Sequence, residues 1–255
     1  MIADLEHRAF AAWPAEEVHD LDGWRLRSTH GVTRRANSAF TAAGGPSDVS
    51  AALRRAEDWY AERGLPCLFQ LSPLTHPPDL DVRLAERGFV VDAPVRVEVC
   101  DLSALAGNQG ANVGVTIATR VEAQPFEAWT EIAIGQSRFR QVPEIYRQLL
   151  LRIGPGAAFA LAELAGEPAG TALGVIDGAW LGIFSMLTLP AHRGRGIGRA
   201  LLGALGRHAR AAAAQRAYLQ VERDNGAAIA LYARAGFHTA YGYHYRRAPA
   251  PRAGS

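Results

Sequence analysis

Cysteine is scarce in this 255-residue chain: Cys67 and Cys100 are the only two, set in separate apolar runs. They lack the close spacing of a zinc site or a redox pair, and both read as small core residues. No uninterrupted apolar run reaches the ~18 residues that a membrane span requires. The opening Met1-Ile2-Ala3-Asp4-Leu5-Glu6 puts acids where a secretory signal needs a basic start. These absences predict a soluble, cytoplasmic protein with no membrane partner. An excess of one charge is missing too: 27 Lys and Arg stand against 25 Asp and Glu, which removes the basic surplus of a nucleic-acid binder. What remains is 49% hydrophobic and 20% charged, enough for one large or two small packed domains and unlike a disordered chain.

Strands are expected at residues 24–28, 36–40, 66–71 and 95–100, where β-formers are bounded by Gly, Pro and Asn. Over 48–63 the apolar positions Val49, Leu53, Ala56 and Tyr60 recur every three or four residues, predicting a helix that Gly64 ends. Residues 104–112 are small and polar, the pattern of a linker. The second half opens with a strand at 113–118 and helices at 126–133 and 143–152. A meander over 157–164, 168–176 and 180–189 follows, its turns at Ala165-Gly166 and Asp177-Gly178. A glycine-rich loop, a helix, a strand at 217–221, a second helix and a strand at 241–247 complete the chain.

The order helix, strand, helix, Gly-Phe, strand occurs twice, once ending at Gly88-Phe89 and once at Gly236-Phe237. The chain is therefore expected to be of the α/β class, two units in tandem with mixed sheets flanked by helices. Expected boundaries are 1–103 and 113–247, with 248–255 as a mobile tail.

The run Thr188-Leu189-Pro190-Ala191-His192-Arg193-Gly194-Arg195-Gly196-Ile197-Gly198-Arg199 carries the strongest chemical signal. A strand leads through three alternating glycines into an amphipathic helix. Such a loop bares its amides, and with the positive end of the helix dipole it forms a cradle for a pyrophosphate. A P-loop would need Lys and then Ser or Thr after the last glycine, where Arg199 and Ala200 stand. A dinucleotide fingerprint would need a third glycine where Arg199 or Leu201 stands.

The remaining pattern, Arg-x-x-Gly-x-Gly at Arg193, Gly196 and Gly198, resembles the first motif of the GNAT superfamily of N-acetyltransferases. The block from Leu219 through Asn225 and Tyr232 to Phe237 is similar to that family's second motif, in the family's order and separation. The resemblance covers residues 113–247 well and the first half only as a degenerate copy. It implies acetyl-CoA as co-substrate, without a metal, and transfer of its acetyl group in a ternary complex. The acceptor would be a primary amine of a small molecule, amino acid or peptide, and the chain a monomer or homodimer.

Within that resemblance, Gly194, Arg195, Gly196, Ile197, Gly198 and Arg199, with Arg193, hold the pyrophosphate. Met186, Leu187 and Thr188 pair with the pantetheine and polarise the acetyl carbonyl. Asn225 contacts the coenzyme, and Tyr232 is the acid facing the sulfur. A phenol suits that task, because the leaving thiolate, of pKa about 8.5, must regain a proton. No general base is evident: the matching position is Gln220, and Glu222 reads as a solvated strand-end carboxylate. His192 reads as a surface spacer and His208 as part of an exposed helix flank. The polar run Thr33-Arg34-Arg35-Ala36-Asn37-Ser38 either shapes an acceptor pocket or caps a turn. A non-catalytic, coenzyme-binding regulator is the alternative function, opposed by the presence of both Asn225 and Tyr232.

One coenzyme per chain is expected. The offset of 148 residues between Gly88 and Gly236 puts Asp48 and Ser50 opposite Gly196 and Gly198, and Leu84 opposite Tyr232. The first copy thus lacks both cradle and proton donor.

Overall fold

The computed structural model of the protein describes residues 1–106, 116–135 and 139–249. Its elements are mixed α/β, as expected, in two compact units: Met1–Arg96 with Tyr241–Ser255, and Val97–Ala240. Neither division falls in the 104–112 stretch, of which 107–112 lie outside the described residues, as do 113–115 and 250–255.

The first unit begins with α1 (Ile2–Ala11), β1 (Glu17–Leu21), β2 (Trp24–Ser28) and β3 (Ala39–Phe40). It continues with α2 (Val49–Ala61), β4 (Leu68–Leu71), α3 (Leu80–Glu86) and most of β5 (Val90–Asp101). Its sheet runs β1, β2, β3, β4 and then β11 (His238–Arg247), with β3 and β4 parallel and the rest antiparallel. The expected helix is present, and Asp48 caps it by accepting from the Ala51 amide at 3.0 Å. Sequence reasoning missed α1 and β1. The four leading residues of β1 are exposed, so the strand carries almost no apolar signal.

Arg27, 2% exposed, anchors this unit. It donates to Ser38 O and Oγ and to Gln70 Oε1, between the rings of Phe10 and Phe40. Gln70 donates to Glu6 Oε2, and the Tyr241 hydroxyl donates to Glu6 Oε1 at 2.6 Å. Burial raises the Glu6 carboxyl, against the pull of Tyr241 and Arg27. Of the two readings of residues 33–38, the turn cap is the one found. Asn37 Oδ1 accepts from the Thr29 and Gly31 amides, and its Nδ2 donates to Val32 O and Thr33 O.

The second unit takes in the end of β5 and α4 (Leu102–Ala106), β6 (Ile117–Glu122), α5 (Glu127–Gly135) and α6 (Pro143–Leu151). Then come β7 (Ala157–Leu164), β8 (Glu167–Asp177), β9 (Trp180–Thr188), α7 (Ile197–Ala211), β10 (Arg216–Glu222) and α8 (Gly226–Arg234). Its sheet order is β10, β9, β8, β7, β6, with β9 and β10 parallel and the meander antiparallel. Ala165 and Gly166 both have positive φ, the hairpin geometry expected between β7 and β8. Cys100, Leu102 and Leu105 belong to the same apolar core as Leu201, Leu205, Leu219 and Phe237. Cys67 lies in the first unit's core, and burial pushes both thiols up, Cys100 to about 12.

Two outcomes follow. A chain beginning at residue 113 lacks Cys100, Leu102 and Leu105 and should show no cooperative thermal transition; a transition like that of the full chain would contradict this core. The second concerns Asp92, which accepts from Arg34 and Arg247. Burial acts to raise its carboxyl, but the two guanidinium groups outweigh it and hold it below the ordinary value. Asp92→Asn should cost about 1–2 kcal/mol at pH 7, after allowance for solvent screening. With the folded value lowered, that contribution is complete above the unfolded carboxylate value of about 3.9 and lost as pH falls through the folded one. The gap between wild type and variant in urea midpoint should therefore close below about pH 4.

Candidate functional site

The meander brings β9 beside β10, and the two strands pair in parallel only from Trp180↔Arg216 to Ile183↔Leu219. Beyond Ile183 the register of β9 against β8 slips. Leu173 opposes Phe184 and Thr171 opposes Leu187, so Ser185 and Met186 share Ala172: a β-bulge with one extra residue on β9. Ser185 has φ +47°, a left-handed conformation that costs a residue with a Cβ about 1–2 kcal/mol. The Tyr146 hydroxyl lies 2.9 Å from its Oγ. Past this bulge, Met186, Leu187 and Thr188 run along the cavity described next.

That cavity, of about 780 Å³, lies within the second unit. Of the residues anticipated from sequence it gathers Met186, Leu187, Thr188, Arg193, Gly194, Gly196, Ile197, Gly198, Arg199 and Asn225 into one lining. Arg195 and Tyr232 stand outside the lining. Gly196 caps α7 with φ +87° and no side-chain hydrogen bond, so the first-turn amides of this helix meet no capping oxygen. Gly198 has a different reason to be glycine: a Cβ there would come within 2.8 Å of Leu231 Cδ2 on α8. Asn225 caps α8, accepting from the Ala228 amide at 3.1 Å. The arrangement fits an extended anionic ligand. Open amides at a helix start with arginines beside them suit a pyrophosphate, and the apolar lining residues Met186, Leu187 and Ile197 suit a less polar arm joined to it.

Tyr232 sits one residue from the lining residue Leu231, 7% exposed, with its ring edge-on to Phe237. Its hydroxyl has no hydrogen-bond partner among the described residues. Burial, with the charge of Glu98 added, pushes it up to about 12, so the phenol keeps its proton throughout the neutral range.

Two residues escaped the sequence reading. His192, taken as a surface spacer, lines the cavity from a 3₁₀ turn at Pro190–His192, and its Nδ1 is buried without a partner among the described residues. Glu98 is 4% exposed and electrostatically coupled to Tyr232. In Val95-Arg96-Val97-Glu98-Val99 the alternation sends Glu98 to a solvent face, but that rule fails for a strand covered on both sides. Glu222 is exposed, in line with a strand-end carboxylate. Among the described residues no group of three or more His, Cys, Asp and Glu side chains is placed to hold a metal ion, and no helix is long and apolar enough to cross a membrane.

The chain matches known proteins over most of its length. The family model described as "Probable histone acetyltransferase Rv0428c C-terminal" matches residues 1–246, across both units. The "Uncharacterized N-acetyltransferase YobR" of Bacillus subtilis is 32% identical over 254 residues, 96% of this chain and 98% of that protein. Among solved structures, a GCN5-related N-acetyltransferase from Kribbella flavida superposes with a TM-score of 0.71 at 18% identity, covering 98% of this chain and 95% of the other. A tandem GNAT protein from the clavulanic acid biosynthesis pathway gives 0.62 at 18%, covering 79% and 70%. At these identities the two structures speak for the fold.

The close approach at Gly198 is directly testable. Gly198→Val should destabilise the chain by about 1–3 kcal/mol through overpacking against Leu231. In a Leu231→Ala background the same change should cost less than half as much, read from urea midpoints. An equal cost in both backgrounds would mean that Leu231 is not what limits the space.

Proposed function

The chain belongs to the GNAT superfamily of N-acetyltransferases, in the family of the Rv0428c C-terminal region, and on that premise we propose that it acetylates a primary amine on a small molecule, an amino acid or a peptide. The acetyl donor is acetyl-CoA. One observation carries the reading: residues from two separated motifs, 186–199 and Asn225, line a single cavity at the uncapped start of α7.

In this reading the amides of the Gly194–Arg199 loop, with Arg193, Arg195 and Arg199 around them, hold the pyrophosphate. The edge of β9 that has parted from β10 offers backbone groups at Met186, Leu187 and Thr188 to the pantetheine arm. Attack of an amine on a thioester builds negative charge on the carbonyl oxygen, and a fixed amide beside it stabilises that charge in a water-poor site. Asn225, which lines the cavity at the start of α8, contacts the coenzyme in this reading. Tyr232 holds a proton for the departing sulfur, and its raised value keeps that proton in place well above neutrality. The first unit binds no second coenzyme in this reading, because Asp48 caps the start of α2 through the Ala51 amide and its carboxylate would repel a phosphate there.

A non-catalytic regulator would have no use for a buried phenol beside the cavity that keeps its proton and meets no hydrogen-bond partner among the described residues, which favours the enzyme. The test combines calorimetry with an amine panel that follows free thiol release from acetyl-CoA. One site per chain is expected, and Tyr232→Phe should lower kcat roughly ten- to a thousand-fold with little change in acetyl-CoA affinity. Because burial pushes the Tyr232 phenol up to about 12, the rate should not fall between about pH 8 and pH 10 on its account. Two sites per chain, or full turnover by Tyr232→Phe where chemistry limits the rate, would overturn these assignments.

A further inference from the structure

The bulge on β9 is an expensive piece of backbone with no glycine in it. A bulge whose first residue is left-handed usually carries glycine there; this one carries Ser185 at φ +47°. Strain of this kind persists only where surrounding structure over-determines it. The surrounding structure here is α6. Tyr146, 1% exposed, stacks on Phe139 with ring centroids 4.3 Å apart and planes 15° from parallel, and its hydroxyl meets Ser185 Oγ at 2.9 Å.

We propose that Tyr146 is a positioning residue for the open edge of β9: its bond to Ser185 fastens the bulge in the left-handed form that delivers residues 186–188 to the cavity. The serine then does what glycine could not. Glycine would relax the strain but give α6 no handle on the strand, whereas the Ser185 hydroxyl ties the bulge to a buried, stacked ring. The reach of the phenol is short and its ring immobile, so the bond survives only while Ser185 keeps its backbone conformation. The catalytic part of this inference rests on the acetyl-transfer reading; the mechanical part does not.

The test is a double-mutant cycle in the full chain. Tyr146→Phe keeps the stacked ring and removes the hydroxyl, while Ser185→Gly accepts positive φ without a side-chain anchor. With the most active amine of the panel, Tyr146→Phe should lower kcat about tenfold and shift KM for acetyl-CoA less than twofold. In the Ser185→Gly background the same change should have no further effect. Amide hydrogen exchange at residues 186–188 supplies a readout that needs no turnover: Tyr146→Phe should quicken it roughly tenfold where Ser185 is present and leave it unchanged in the Ser185→Gly background. Wild-type kcat together with wild-type exchange in Tyr146→Phe overturns the proposal, as does an undiminished effect in the Ser185→Gly background. A wild-type chain that acetylates no amine, but whose exchange at 186–188 still responds to Tyr146→Phe, would sink acetyl transfer and support the clamp.

Discussion

Everything at the candidate site depends on β9 and β10 ceasing to pair beyond Ile183 and Leu219. Two parallel strands that stayed paired would spend their amides and carbonyls on each other and leave no edge for a ligand. The extra residue at Ser185 and Met186 ends the regular register, and the chain leaves β9 through a short turn that opens α7 at Gly196. The irregularity leaves an open strand edge, and a few residues on Gly196 leaves the start of α7 without a side-chain cap. The first suits a chain of amide groups and the second an anion, and acetyl-CoA has both.

The first unit shows what the same order of elements does without that irregularity. Its β3 is two residues long and leads to an α2 that Asp48 caps, accepting from the Ala51 amide. Its interior instead holds a charged network, with Arg27, Gln70 and Glu6 linked to Tyr241 from the last strand. A buried charge is tolerable only with every partner in place, so this network ties the residues after 240 to the first unit. Asp92 with Arg34 and Arg247, and Asp81 with His244 and Arg246, repeat the tie nearer the surface.

Much of this was legible beforehand for a physical reason. Positions such as Val49, Leu53, Ala56 and Tyr60 repeat with the helical period, and the meander from 157 to 188 is three largely apolar runs broken by turns at Gly166 and Gly178, so local pattern located these elements. The glycines of the loop were legible because left-handed backbone and close approach leave few other residues possible, as Gly194 at φ +76° and Gly196 at +87° bear out. The edge strand β1 and the buried acid Glu98 were not legible. In both, hydrophobic pattern and burial part company: β1 is polar because its face is open, and Glu98 is buried although its strand alternates.

The residues by themselves determined most of the elements other than α1 and β1, their doubling and the chemistry of the loop, because each of these depends on neighbours within a few positions: a period, a missing Cβ, a cap. Only the tertiary structure decided which strand completes which unit, since a final strand carries the same alternating pattern whichever sheet it joins. It also decided that Gly198 answers to Leu231, that His192 faces the cavity, and that Tyr146 reaches Ser185. The first and last are meetings of residues 33 and 39 positions apart, and His192 is aimed by the fold of its loop; none of these leaves a periodic trace along the chain.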